Sequence, residues 1–361
     1  MHNSGIDMEL QSDIKISERQ RNILSIIIEQ YVSTARPVAS EHIVNSYGLN
    51  VSSATVRNDM VELERAGLIM QPHTSAGRVP SDRGYRYFVE NLMAPTALPP
   101  AEQRTIRHQF GQVEMDADEW VRLAAAVLAR TAHVAAVATS PRSNAVRFKH
   151  FEMLSISDTR ALVVLVGHDG TVTQQMITVD ETHEQDKWSA LANQLNSVLE
   201  GKTPQEILAW AKDEANVTPL PEVASQVLST LASMLEKMER PEASQIYHEG
   251  LAHILEQPEF RHPERIQRIL ELFEQGGLWS SIIPSVMSQK GVQVIIGDQG
   301  WGDGMAQCSV VLARYGLDDR LAGVLGVVGP TRMSYSRSIS TVSYMSQLLS
   351  DLLLKAYSPS E

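Results

Sequence analysis

The sequence has little of what secreted and membrane-spanning proteins depend on. It contains one cysteine, Cys308, in 361 residues, so no disulfide can form within the chain. A reducing, cytoplasmic location is therefore expected. No apolar run approaches the roughly 18 residues that a membrane helix needs. The first residues, MHNSGIDMELQSDIKIS, lack the basic start and apolar centre of a secretion signal.

Charge is unevenly distributed along an acidic chain. The sequence has 31 Lys and Arg against 43 Asp and Glu, a formal net charge of −12. Residues 15–94 are close to neutral, with nine basic and eight acidic side chains. Such a protein is poor at non-specific polyanion binding. It can still recognise a nucleic acid through a few well-placed arginines, because specificity depends on local geometry.

Three short helices are predicted near the N-terminus. Ser17 and Gln20 form a capping-box pattern before the first, and its apolar residues recur at helical spacing. Gly48 is placed to end the second helix, and Ser52 can cap the third. The predicted ranges are residues 17–33, 40–47 and 52–66.

The third helix has the pattern of a recognition helix. Its apolar face lies opposite a small, polar face at the first turns, which suits a helix that enters the major groove of DNA. Arg57 and Asn58 could read bases, because arginine pairs with guanine and asparagine with adenine. An ordinary solvated helix face is the alternative. The predicted contacts on this helix are Ser52, Ser53, Ala54, Thr55, Arg57, Asn58 and Arg65.

The stretch LIMQPHTSAGRVP, residues 68–80, follows this helix and is typical of a two-stranded wing. Small residues at its tip allow close approach to a phosphate backbone, and Gly77 can adopt a turn conformation that other residues resist. An idle surface loop is the alternative. A closing helix is predicted over 81–93, with Tyr87, Phe88 and Leu92 packed inward. Further predicted DNA contacts are His73, Thr74, Ser75, Gly77 and Arg78 in the wing, and Arg83 and Arg86 facing outward on the closing helix.

The rest of the chain has an α+β pattern after a linker, APTALPP. A helix is predicted over 104–130, a buried strand over 133–141, and then an antiparallel meander of three strands. Helices follow, and the one at 221–239 carries a seam able to meet another helix, formed by Val227, Leu231, Met234 and Met238. Further helices run through about 245–287. Strands at 292–297, 308–315 and 321–329 and a helix at 333–356 complete the pattern, which indicates one domain inserted into another.

No constellation of residues indicates catalysis, a metal site or a cofactor. His248, His253 and His262 are close in sequence but lack an HExxH pattern and a cysteine partner, so surface or capping roles are expected. Cys308 lies in an apolar strand and should be a buried, inert thiol. The run GDQGWGDG, residues 297–304, lacks the spacing of a phosphate-binding loop and is read as a plain connection between strands.

The run GPTRMSYSRS, residues 329–338, leaves two readings open. Arg332 and Arg337 could line a ligand pocket, which would make the protein a small-molecule receptor. They could instead pair with acidic residues at a turn between a strand and a helix.

Several segments resemble one known family. The run SSATVRNDMVELERAGLIMQPHTSAGRVPSDRGYRYFVENL is similar to the N-terminal signature of HrcA, the heat-inducible transcription repressors. Similar segments are IYHEGLAHILEQPEF, CSVVLARY and GVLGVVGPTRMSYSRSIS. The chain departs from the family pattern at Ser334, where aspartate is common, and at GDQGWGDG.

The resemblance implies an architecture and partners. After a disordered leader (1–16), it implies a winged helix-turn-helix domain (17–94) and a GAF-like domain (104–145 and 243–356). An inserted α+β dimerisation domain (146–242) interrupts the GAF-like domain. It also implies a homodimer that binds an inverted repeat in double-stranded DNA upstream of chaperone operons of the chaperonin and DnaK type. The GroE chaperonin is expected to keep this repressor active.

Overall fold

The chain combines α-helix and β-sheet, as the sequence predicts, and its computed structural model divides into two compact units. The first unit comprises Met1–Ser140, Ile246–Tyr315 and Gly323–Glu361, and the second comprises Pro141–Gln245 and Gly316–Ala322. The structure describes residues 14–48, 50–73, 76–94, 96–113, 116–142, 146–168, 170–179, 184–213, 220–239, 246–274, 277–297, 307–317 and 321–357.

Three helices form at the start of the first unit where the caps predict them. The Ser17 and Gln20 side chains complete the capping box, Gly48 takes the left-handed conformation with φ +59°, and the Ser52 hydroxyl accepts the Thr55 amide. The helices are α1 (Glu18–Thr34), α2 (Ser40–Tyr47) and α3 (Ser53–Arg65).

These helices share an apolar core, and an ion pair fixes α3 against α1. The Arg19 guanidinium forms a bidentate ion pair with the Asp59 carboxylate, with Nε–Oδ2 at 2.7 Å and Nη2–Oδ1 at 3.1 Å. Asp59 is 6 % exposed, so this carboxylate needs the partner that Arg19 supplies. The fully buried apolar residues include Ile23, Leu24, Ile27, Ile43, Val56 and Leu63.

The predicted wing is present. Strand β1 (Ile69–Met70) pairs antiparallel with β2 (Val79–Pro80). Val38, between α1 and α2, adds a third strand position, because its N–H and C=O both bond to the Arg78 backbone at 2.9 Å. Helix α4 (Asp82–Tyr87) follows and continues as a π-helical turn, Phe88–Leu92. We call residues 17–94 the head.

The remainder of the first unit, the body, is built on a five-stranded sheet. In spatial order its strands are β7 (Ile246–Glu249), β3 (Ala135–Thr139), β10 (Leu321–Pro330), β9 (Cys308–Leu317) and β8 (Val292–Ile296). Antiparallel registers include Leu325 opposite Ala138, Ala136 opposite Glu249, and Val292 opposite Ala313. The helices are α5 (Pro100–Phe110), α6 (Ala117–Ala132), α10 (Leu251–Leu255), α11 (Pro263–Glu274), α12 (Gly277–Met287) and α13 (Tyr335–Tyr357).

Two expectations for the body were wrong. The single helix predicted over 104–130 is two helices, because Gly111 ends α5 and the Asp116 carboxylate caps α6 by accepting the Asp118 and Glu119 amides. The helical run predicted from about residue 245 begins instead with strand β7, which pairs with β3 at the sheet edge. Backbone pairing with β3 overrides the weak local pattern of these four residues.

The second unit contains the predicted three-stranded meander, β4-β5-β6. The helical seam of Val227, Leu231, Met234 and Met238 is buried in the core of this same unit, so it is already covered. The elements are β4 (Phe148–Ser157), β5 (Arg160–Gly167), β6 (Val172–Thr178), α7 (Gln185–Leu199), α8 (Pro204–Ala211) and α9 (Val223–Glu239). Among the described residues of both units, no helix is long and apolar enough to cross a membrane.

Candidate DNA-binding surface

The first turns of α3 present a small, polar surface. Ala54, Arg57 and Asn58 are exposed, while Ser53 and Thr55 are half-buried. The Arg57 and Asn58 side chains have no hydrogen-bond or ion-pair partner among the residues that the structure describes. Their donors and acceptors are therefore available to an external ligand.

The opposite face of α3 anchors the helix. Val56, Met60 and Leu63 are 0–3 % exposed, which agrees with the predicted apolar face. Arg65, at the far end of the helix, is exposed, but its Nη1 lies 2.7 Å from Glu62 Oε1. A nucleic acid would have to compete with Glu62 for this arginine.

Hydrogen bonds within the wing stabilise the backbone near its tip. The His73 carbonyl accepts the Ala76 amide at 2.9 Å, and Gln71 Nε2 donates to the Ala76 carbonyl at 3.0 Å. His73 itself is exposed. The predicted contacts Thr74 and Ser75 lie outside the described residues.

Gly77 is required for a different reason than the sequence suggested. Its φ is not in the left-handed region, so the predicted turn conformation was wrong. A Cβ at this position would lie 2.3 Å from the Val38 carbonyl oxygen, closer than any side chain can approach. Gly77 therefore allows the wing to pack directly on the Val38 backbone.

Arg78 is directed into the protein. Its Nη2 lies 2.8 Å from Glu64 Oε2 on α3, and its side chain is only 16 % exposed. Its Nε is buried without a partner among the described residues. The pair ties the base of the wing to α3, so the guanidinium is less accessible to phosphate than the sequence pattern suggests.

The two arginines of α4 differ. Arg83 is exposed, as expected, whereas Arg86 is half-buried and its Nε is fully buried. The outward orientation predicted for Arg86 is therefore wrong. The most buried aromatic residue of this segment is Tyr85, at 2 % exposure. The residues predicted to pack inward, Tyr87, Phe88 and Leu92, are half-buried.

Sequence reasoning missed Arg36. It is exposed and lies two positions before Val38, the third strand position of the wing sheet. Its side chain has no partner within the described part of the chain. The signal in the sequence was a basic residue in the short connection between the first two helices.

The ion pairs of Arg332 and Arg337 distinguish between the two interpretations of the run GPTRMSYSRS. Arg332 forms an ion pair with Glu259, and Arg337 forms one with Glu102 at 2.6 Å. The pairing with acids is thus confirmed for both arginines. Of GDQGWGDG, only Gly297 lies among the described residues.

Burial shifts the pKa of two titratable side chains of the body away from neutral-pH reactivity. Cys308 is buried, as predicted, and burial raises the pKa of its thiol to about 12. Burial lowers the pKa of His248, which keeps its imidazole neutral. Within the described ranges, no three His, Cys, Asp or Glu side chains are grouped to hold a metal ion.

Comparison with known proteins gives two family matches. Residues 118–339 match the HrcA protein C terminal domain, and residues 26–81 match the DeoR-like helix-turn-helix domain. A crystal structure of a hypothetical protein shares the fold, with a TM-score of 0.61 at 23 % identity. It covers 95 % of this chain, and this chain covers all of it.

Curated relatives match over almost the whole chain. The heat-inducible transcription repressor HrcA of Roseiflexus castenholzii is 46 % identical over 344 residues, covering 95 % of this chain and 96 % of that protein. The repressor of Chloroflexus aurantiacus is 46 % identical, covering 95 % of each chain. That of Dehalococcoides mccartyi is 37 % identical, covering 95 % and 97 %. The chain therefore belongs to the HrcA family of heat-inducible transcription repressors, a non-enzymatic family.

Proposed function

We propose that this repressor binds an inverted-repeat operator upstream of chaperone genes as a homodimer, with one head on each half-site. The observation that carries the proposal is the exposed start of α3, where Arg57 and Asn58 have no partner among the described residues and lie in the same domain as a two-stranded wing. A helix presented in this way can enter the major groove by its N-terminal turns. A regulator of chromosomal operons acts in the cytoplasm.

The contacts divide into base reading and phosphate anchoring. Arg57 and Asn58 read base edges, since both side chains form bidentate pairs. The small Ser52, Ser53, Ala54 and Thr55 allow the close approach of the helix start. Phosphate contacts come from the exposed Arg36, His73 and Arg83 and, outside the described residues, Thr74 and Ser75.

Four of the predicted contacts take secondary places in this proposal. Arg65 and Arg78 reach phosphate only by leaving Glu62 and Glu64. Arg86 contributes through the packing of α4, because its Nε is buried. Gly77 contributes by seating the wing on Val38.

Dimerisation through the second unit is supported by the outer face of its meander. Leu154, Leu162 and Met176 lie side by side across β4, β5 and β6. Leu154 is 46 % exposed, Met176 47 % and Val172 61 %. The described helices of the unit pack on the other face of the sheet, so no described element covers these apolar side chains. A second copy supplies that cover, because a two-fold-symmetric operator requires a two-fold dimer.

This interface can be tested by placing charge on it. The double variant Leu154→Asp, Met176→Asp should sediment as a monomer at concentrations where the wild type sediments as a dimer. The matched control is Leu354→Asp, since Leu354 is an equally exposed leucine, at 53 %, near the end of α13. The interface is misplaced if the double variant remains a dimer or if the control dissociates to the same extent.

The proposed dependence on the GroE chaperonin follows from the family resemblance. A partner that maintains the active form raises its population, so occupation of chaperonin by unfolded proteins would release repression. The GAF-like nature of the body is likewise carried by the resemblance. The pairing of Arg332 with Glu259 and of Arg337 with Glu102 supports a structural role for these arginines over ligand binding.

The function is tested by fluorescence anisotropy with a labelled inverted-repeat duplex from a chaperone promoter. A scrambled duplex is run beside it at several salt concentrations, with and without chaperonin. Tight binding to the inverted repeat alone, enhanced by chaperonin, is the expected result. Equal, weak binding to both duplexes would contradict the assignment, and selective binding without a chaperonin effect would remove only the GroE step.

A further inference from the structure

Arg332 joins the head to the body. It lies in the turn after β10, and its guanidinium contacts three groups at once. Nη1 donates to the Val32 carbonyl on α1 of the head at 3.1 Å. Nη2 donates to Gln257 Oε1 at 2.7 Å, and Nε and Nη2 engage both carboxylate oxygens of Glu259. Only 12 % of the Arg332 side chain is exposed, so water competes little for these contacts.

The contact on the head satisfies a carbonyl that the helix itself cannot. The last four carbonyls of a helix have no partner within it, and Val32 is among the last four residues of α1. The Ala35 amide covers the Tyr31 carbonyl, and Arg332 of the body covers that of Val32. A cation at this end also complements the helix dipole. Helix α1 is thus capped in part by the body.

Two further contacts between the head and the body lie near those of Arg332. The Tyr85 ring of α4 packs on the Tyr335 ring at the start of α13, with centroids 5.7 Å apart. Both tyrosines are 2 % exposed, and burial raises the pKa of each hydroxyl. At the end of β8, a Cβ on Gly297 would lie 2.1 Å from an Asp82 carboxylate oxygen. Both ends of the head, α1 and α4, are therefore seated on the body.

We propose that Arg332 is a positioning residue for operator recognition. By fixing the head on the body, it sets the spacing between half-sites that the dimer accepts. This inference rests on the proposed function, because spacing has meaning only for two heads on one operator. Arg332 itself does not touch the DNA.

The Arg332 contacts limit how freely the second head of a dimer can move. With them intact, a head cannot move independently of its own body, so the two heads accept fewer spacer lengths. Without them, the head is held by its covalent connection to the body, by the Tyr85–Tyr335 contact and by the close approach of Asp82 to Gly297. A loosely tethered head reaches half-sites at several spacings, with a lower effective concentration at the best one.

The experiment measures affinity for inverted repeats whose spacers differ by zero to ten base pairs, and for a single half-site. The wild type should lose about tenfold or more in affinity when five base pairs, roughly half a helical turn, are inserted. The test variant is Arg332→Met combined with Glu259→Gln, which keeps the side-chain volume and leaves no unpaired carboxylate. It should vary less than about threefold across spacers and bind the single half-site like the wild type.

Arg337→Met combined with Glu102→Gln is the matched control. This second arginine–carboxylate pair lies in the same segment, but it joins α13 to α5 within the body, and Arg337 Nε donates to the Thr131 carbonyl of α6. The control should keep the wild-type spacer preference. If the test variant fails to fold, Arg332→Lys replaces it, because lysine keeps the charge beside Glu259 but cannot hold three acceptors in a fork.

The outcomes separate the inference from the function. A folded Arg332 variant with the spacer preference of the wild type overturns the positioning role. Loss of the wild-type spacer preference in the Arg337 control also overturns the positioning role, because general loosening of the body would then be the cause. Failure of the wild type to select an inverted repeat contradicts the proposed function instead.

Discussion

The start of α3 and the base of the wing look alike in sequence but differ in structure. Each carries an arginine in a segment that resembles a DNA-binding motif. Arg57 is exposed and without a described partner, whereas Arg78 is 16 % exposed and engaged with Glu64. A basic residue in a recognition motif can therefore either contact the ligand or stabilise the fold through an internal ion pair. What decides is whether an acidic side chain from another element lies within reach.

Replacing Arg57 should give the largest effect on recognition. Loss of one bidentate base contact costs about 1–3 kcal/mol, so Arg57→Ala should weaken binding to each half-site by roughly fivefold to 150-fold. Binding to scrambled DNA should fall much less, because base reading contributes little there. Anisotropy titrations on the two duplexes measure the difference.

The matched control for this prediction is Arg104→Ala. Arg104 is an exposed arginine on α5, in the body, and its loss removes the same charge. It should leave operator binding unchanged. An Arg57 variant that loses the same factor on both duplexes would show that Arg57 contacts phosphate rather than bases.

Replacing Arg78 should affect stability more than recognition. Arg78→Ala removes a charge-assisted hydrogen bond and leaves Glu64 without its partner, a loss on the order of 1–3 kcal/mol. Thermal unfolding should therefore shift to lower temperature. The salt dependence of DNA binding should stay the same, because the guanidinium is already occupied.

The sequence pattern alone predicts the opposite for Arg78. As a phosphate contact, its loss would weaken binding to all sequences and reduce the salt slope by about one. Measuring the slope for Arg78→Ala separates the two roles. A reduced slope with unchanged unfolding temperature would show that DNA draws Arg78 away from Glu64.

Local signals in the sequence predicted the head well. Helix ends follow from side chains a few residues away, such as Ser17 with Gln20, or from single residues such as Gly48. The capping of α3 by Ser52 is equally local. These features need no knowledge of distant parts of the chain, so the helix-turn-helix could be drawn from the sequence.

The predictions from sequence were wrong where contacts between residues far apart in the sequence determine the structure. Strand β7 exists because it pairs with β3, more than one hundred residues earlier in the chain. Arg78 meets Glu64 across the wing base, and Arg332 meets Val32 across 300 positions. No pattern within a single segment contains these contacts. The missed cap at Asp116 is different, since its acidic residue after a glycine was a readable signal.

Arg36 provides the smallest and sharpest test of the comparison. Like Arg57 it is exposed, but it lies in a connection beside the wing rather than on α3. Arg36→Ala should weaken binding to operator and scrambled duplex alike and reduce the salt slope by about one, which is the signature of a lost phosphate contact. Its unfolding temperature should match that of the wild type, because no described side chain depends on it. An unchanged salt slope would place Arg36 off the DNA and leave the exposed His73 and Arg83 as the phosphate contacts among the described residues outside α3.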